Sequence, residues 1–395
     1  MTTIPLHFTP REPVRGFGFW RLGFRPFYLL AAGFAALSIA LWALQFGGLL
    51  GAAYLAGPLW HAHEMLFGFT LAVVVGFLFT AGRNWSGQPT PTGGALAALA
   101  GLWLAGRLLL LTPWGLAAAV VNIAFPLLAA VGLGRALYAG RNQRNYFFVA
   151  LLVAMAGAQA LFHLTLLGVL DLPLRAGIQI GLDVVLFVMA VVAGRVVPMF
   201  TNNGVPGTGA ERRPRVEQVA LGSVLALLAA DVLGLPGVAV AALAAVAALA
   251  HGLRLALWRP QRTRPNPLVW ILHAAYAWIP LHLALRAAAE LGWAQASLAT
   301  HALTAGAIGA LTLGMMTRTA RGHTGRPLRA DRWDIAAYVL VLAGGVVRVL
   351  GPLLLPGLMQ AEIVVSGACW AAAFAVYAWR YAPSLWRVRA DGQPG

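Results

Sequence analysis

Apolar runs of about twenty residues recur from Phe27 to Tyr381, and this recurrence restricts the fold more than any other feature of the chain. A bilayer core about 30 Å thick is crossed by roughly 20 residues of helix. Runs of that length fall near 27–47, 61–81, 94–111, 115–138, 145–168 and 175–200. The second half adds 216–233, 236–257, 267–288, 297–317, 333–354 and 358–380. The expectation is an all-α polytopic membrane protein with 12 transmembrane helices over 27–381, a cytoplasmic segment over 1–26 and a cytoplasmic tail over 382–395.

Composition agrees. The chain is 60% hydrophobic and 10% charged, whereas a soluble domain carries about 25% charged residues. Arg11, Arg15, Arg21 and Arg25 precede Phe27 without an apolar core between them, so the first span reads as a retained anchor rather than a cleaved signal. The net charge of +16 comes from Arg alone, since the chain has no Lys. All of these Arg except Arg107, Arg175, Arg286 and Arg348 fall on one side of the span pattern, the positive-inside distribution. This places both termini in the cytoplasm. The partner it implies is the lipid bilayer and not a nucleic acid. Absence of Lys excludes Schiff-base chemistry, and the single Cys369 excludes disulfides, iron–sulfur clusters and thiolate zinc sites.

A weak internal period runs through the spans. Thr80, Thr201 and Thr317 close spans two, six and ten at separations of 121 and 116 positions, about four helices each time. That spacing suggests three pseudo-repeated four-helix blocks, against the alternative that Thr is simply common at helix ends.

Chemistry is concentrated at Trp60-His61-Ala62-His63-Glu64-Met65, at the mouth of the second span. Ionisable groups inside a span are costly and call for a functional explanation. With about 1.5 Å of rise per residue, the alternating span directions bring His61, His63, His163, His282, His301 and Asp183 to the outer level. His273 falls in the inner third, His251 near the inner end of its span, His323 in a loop and His7 in the tail. Neutral imidazole suits haem iron and copper. If the entry to span two is helical, His61 and His63 diverge by about 200° and serve different centres; if it is extended they point together and can chelate one ion. Met65 is either a soft ligand or core packing. Glu64 either orients an imidazole and carries protons or is a solvated interfacial carboxylate, and Asp183 is a deeper proton-handling candidate. Arg107 either pairs with haem propionates or snorkels to the headgroups. Trp270, His273 and Tyr276 share a helix face that either stacks on a porphyrin or packs on neighbouring helices.

Taken together, several stretches resemble the NnrS family of bacterial membrane proteins. They are Trp60 to Phe69, Gly194-Arg-Val-Val-Pro198 with Thr201-Asn202, Trp270 to Trp278, His301 to Gly309, Met316-Thr-Arg318 and Gly322-His-Thr-Gly-Arg326. Members are described as haem- and copper-containing twelve-helix proteins linked to nitric oxide metabolism and resistance. The resemblance implies a haem, of b-type, with copper as a further cofactor, nitric oxide as the small-molecule ligand, and an electron donor that it leaves unnamed. It makes His61, His63, His273, His301 and His323 motif positions, sets His163 in less distinctive surroundings and leaves His282 outside the motifs. It does not divide the ligands between haem and copper. A fold-level analogy with haem–copper oxidases and nitric oxide reductases matches helices two and ten as haem carriers, but span seven has no His, so their copper site does not transfer.

The resulting expectation is axial haem ligation by His61 or His63 with His301, and His163 and His273 as ligands of a second haem or of copper. Tyr276 and Arg107 would contact the cofactor, and Glu64 and Asp183 would serve catalysis in an oxidoreductase acting on nitric oxide. The rival readings are a proton-coupled secondary transporter, whose usual repeat is six helices rather than four, and a nitric oxide sensor without turnover.

Overall fold

In the computed structural model, residues 16–46, 54–55 and 57–393 are described; His7, Arg11 and Arg15 lie outside them. The described chain is helical, and its one extended contact is an isolated bridge between Phe17 and Arg387. The helices are α1 (Phe24–Phe46), α2 (Gly57–Ser86), α3 (Gly93–Leu109), α4 (Gly115–Ala139), α5 (Phe147–Leu166) and α6 (Ala176–Gly204). They continue as α7 (Pro214–Val232), α8 (Gly237–Leu257), α9 (Pro267–Glu290), α10 (Ala296–His323), α11 (Arg332–Leu354) and α12 (Met359–Trp386). Among the described residues, 10 helical segments are long and apolar enough to cross a membrane. The expected count of twelve exceeds this by α3 and α7. α3 is 17 residues long, and α7 carries Arg215, Glu217 and Asp231 within its 19 residues.

Local chemistry explains the breaks. α9 bends at Ala277, between a segment ending at Tyr276 and one beginning at Trp278, because Pro280 has no N–H to return to Tyr276. α2 and α10 each contain a wider π segment, Glu64–Thr70 and Ala302–Ile308, and each begins directly after a histidine. In α2, side chains serve carbonyls of that segment: Thr70 Oγ1 donates to Met65 O at 2.7 Å and Trp103 Nε1 to Gly68 O at 3.0 Å. Such segments concentrate at functional sites.

The two ends of the described chain meet. Gly18 N donates to Trp386 O at 2.7 Å, and the buried Arg25 guanidinium donates to Leu385 O at 3.0 Å, closing α1 on α12. α2, α6 and α10 are the most enclosed helices, with 78%, 72% and 67% of their most apolar stretch buried, against 33% for α1, α11 and α12. Those three therefore form the interior, and the chemistry-bearing histidines of α2 and α10 stand on it.

Candidate functional site

The entry to α2 is helical, so His61 and His63 diverge. His63 is fully buried and its Nε2 lies 3.2 Å from Nε2 of His163, brought in by α5. Both distal nitrogens are held: His63 Nδ1 by Glu64 Oε1 at 2.9 Å, and His163 Nδ1 by the Tyr54 hydroxyl at 3.1 Å. The Tyr54 and His163 rings lie parallel to within 2°. Because Glu64 Oε1 only accepts, His63 carries its proton on Nδ1 and turns the lone pair of Nε2 toward His163.

Glu64 Oε1 also accepts from Arg107 Nη1 at 2.5 Å, and Arg107 Nη2 donates to Asn122 Oδ1, whose own amide donates to Ala118 O at 2.8 Å. Arg107 is thus a buried partner of Glu64 and does not snorkel to the headgroups. Gly68 makes this possible: a Cβ there would collide with Arg107 Nη1 and come within 2.9 Å of Phe34. Glu64 Oε2 is buried without a partner. A carboxylate, a guanidinium and two imidazoles from α2, α3 and α5 therefore form one buried polar cluster at the end of the bundle where α2 begins.

His61 faces the other way. Its ring lies 4.7 Å from that of Trp42, and its buried Nδ1 has no partner among the described residues. His301 Nδ1 donates to Ser297 O at 2.7 Å, one turn back, which leaves Nε2 as the lone-pair nitrogen. His282 repeats the pattern, with Nδ1 donating to Ala299 O at 2.8 Å and Nε2 buried without a partner. The end of the bundle where α2 begins thus holds one imidazole pair, His63 with His163, and His61 is directed away from it.

The other expected residues lie elsewhere. Asp183 Oδ1 accepts from Arg286 at 2.8 Å and from Gln179 at 3.1 Å, while Arg286 also pairs with Asp231, so α6, α7 and α9 are tied by an ion-pair network. Tyr276 is bonded within the protein. Its hydroxyl donates to His251 Nδ1 at 2.5 Å and accepts from Arg254 at 3.0 Å, and His251 Nε2 donates to Ala220 O at 3.1 Å. Arg254 in turn grips Glu217 through two parallel bonds of 2.6 and 2.7 Å. His273 bonds Thr201 at 2.8 Å, apart from every other imidazole. The His323 ring lies tilted by 45° against that of Phe24, with centroids 5.7 Å apart. Among the described residues, no three His, Cys, Asp or Glu converge on a common point fit for an ion.

Tyr54, Asn122 and the Arg254–Glu217 pair were not singled out from sequence. A lone amide in an otherwise apolar span, as at Asn122, is a signal of the kind that also flagged Asp183. Tyr54 lies in a connection and gives no such signal.

No curated protein matches the chain. The family model described as NnrS protein matches residues 18–389, nearly the whole length. The chain therefore belongs to the NnrS family.

Proposed function

We propose that the protein is a haem- and copper-binding membrane protein that takes up nitric oxide in the outer half of its bundle and reduces it. The observation that carries this reading is the 3.2 Å approach of His63 Nε2 to His163 Nε2. Two imidazole nitrogens bound to one ion at about 2.0–2.1 Å, at a tetrahedral angle, stand roughly 3.3 Å apart. Each ring is also oriented through its distal nitrogen, as supporting residues orient metal-bound imidazoles. The donor set fits copper, for which neutral imidazole is a suitable ligand. For haem, the candidates are His61, whose buried Nδ1 has no hydrogen-bond partner among the described residues, and His301, whose Nδ1–H is fixed by Ser297 and leaves Nε2 as the ligating nitrogen.

When bound, these groups would supply the one-electron chemistry and the nitric oxide affinity that no side chain provides. The chain's own contribution is positioning and proton handling. Glu64 fixes the tautomer of His63 through Oε1, and its unpartnered Oε2 is the atom at which a proton can be held beside the site. Arg107 stabilises that carboxylate, and Gly68 leaves room for the guanidinium.

The same reading takes the chain through the membrane twelve times in the bacterial inner membrane, with both termini cytoplasmic. α3 and α7 restore the alternation of Arg-rich and Arg-poor connections, and the pairing of Gly18 with Trp386 favours an even number of crossings. Three four-helix blocks are supported by the burial of α2, α6 and α10. They are also supported by Thr80, Thr201 and Thr317, each buried and each donating one turn back, to Gly76, Val197 and Leu313.

The test is a pyridine haemochrome assay with copper analysis on purified protein. His63→Ala and His163→Ala are expected to lose copper and keep haem, and His301→Ala to shift or abolish the Soret band. Wild-type protein that contains neither cofactor defeats the reading.

A further inference from the structure

A groove of about 510 Å³ lies between the inner end of α8 and the first turns of α9, far from the outer imidazoles. Leu255, Pro260, Trp270, Ala274 and Ala277 form apolar walls, Arg264 stands at the edge, and His273 forms part of the lining. His273 is 2% exposed. Thr201 Oγ1 already spends its proton on Val197 O at 2.8 Å, so in the 2.8 Å contact with His273 the ring Nε2–H is the donor. Nδ1 is then a bare acceptor, and it has no partner among the described residues. A buried acceptor left unsatisfied costs about 1–3 kcal/mol, so this arrangement asks for a ligand that donates.

We infer that the groove binds a lipid-soluble hydroquinone, with one ring hydroxyl donating to His273 Nδ1 and the ring against Trp270. The apolar walls suit an aromatic ring with an aliphatic tail, and the position at the inner end of two membrane helices admits it from the bilayer. A quinone carries only acceptors and cannot make the bond, so the groove selects the reduced form. The choice of a hydroquinone over another hydroxylated amphiphile rests on the proposed reductase activity, which needs an electron source. Oxidation of one hydroquinone to its quinone releases two electrons and two protons. Reduction of two nitric oxide molecules to one nitrous oxide and one water consumes the same number of each.

The experiment titrates full-length protein in detergent with decylhydroquinone and with its dimethyl ether, following quenching of tryptophan fluorescence. The hydroquinone is expected to bind about tenfold more tightly than the ether, the worth of one hydrogen bond to a buried acceptor. His273→Phe should abolish that difference, and Ala277→Trp, which fills the groove and leaves His273 in place, should weaken both ligands. The inference is overturned if the ether binds as tightly as the hydroquinone, or if neither variant changes binding. Competition by phosphatidylglycerol as effective as that of the hydroquinone would likewise overturn it, making the groove a lipid site. Haem and copper are measured on the same preparations. Loss of the cofactors from wild type with the hydroquinone preference intact would sink the proposed function alone, and the converse would sink the groove alone.

Discussion

Glu64 and Arg107, 43 positions apart, meet at 2.5 Å inside the bundle, 0% and 6% exposed. Removing one partner of such a pair leaves an uncompensated buried charge and costs about 3–5 kcal/mol. Arg107→Ala and Glu64→Ala are each expected to lower the thermal midpoint in detergent sharply, and Glu64→Gln/Arg107→Met to recover much of the loss. Single variants as stable as wild type would show that the pair is hydrated rather than enclosed.

The Tyr54 hydroxyl bonds the distal nitrogen of His163, and the two rings lie parallel. Tyr54→Phe keeps the ring stacked on the imidazole and deletes one hydroxyl. Loss of an orienting partner of this kind weakens metal binding by roughly 10–100-fold. Copper affinity measured by competition with a chelator is expected to fall in that range, while the thermal midpoint of the metal-free protein moves little. Unaltered affinity would mean that the hydroxyl does not orient His163.

Helical class and most span positions were legible in the sequence because lipid imposes length and apolarity on each helix separately. His63, Glu64, Arg107 and His163 were legible as candidates for the same reason, since each is a polar group in an apolar run. Their grouping was not. Whether His61 and His63 serve one centre or two turned on the conformation of the entry to α2, which residue spacing leaves open. The role of Arg107 depended on Gly68 having no Cβ, a steric fact visible only when α2 and α3 are packed together. Of the twelve expected spans, α3 falls short in length and α7 carries charges that an apolarity reading of the sequence cannot place; in the structure Glu217 is spent on Arg254 and Asp231 on Arg286.

Gly194 offers a prediction of the same steric kind. A Cβ at this position would occupy the space of the Arg254 guanidinium and approach Glu217 Oε2 to 3.1 Å. Arg254 makes bonds of 2.6–2.8 Å to Glu217 and to Ala190 O and cannot withdraw without breaking them. Gly194→Ala is therefore expected to cost about 3–5 kcal/mol. Gly101→Ala, where nothing lies within 4 Å, should be neutral or stabilising by up to about 1 kcal/mol through the better helix propensity of Ala. Equal thermal midpoints for the two variants would contradict the packing described for Gly194.

Asp331 begins α11 and supplies the one pH-dependent prediction. Its Oδ1 accepts from the backbone of Trp333 at 2.9 Å and of Asp334 at 3.1 Å, and its Oδ2 accepts from Arg380 at 2.8 Å. Burial pushes the carboxyl up, but donation by Arg380 and by the two N–H groups outweighs it, and the group sits below the ordinary aspartate value. A depressed acid stabilises the fold above its unfolded value, about 3.9, and the contribution fades as pH falls through the folded value. Asp331→Ala should cost about 1 kcal/mol near neutral pH as a lost helix cap. Its thermal midpoint should approach that of wild type as the pH is lowered below about 4. A gap that persists undiminished into that acid range would show that Asp331 acts through its shape and not its charge.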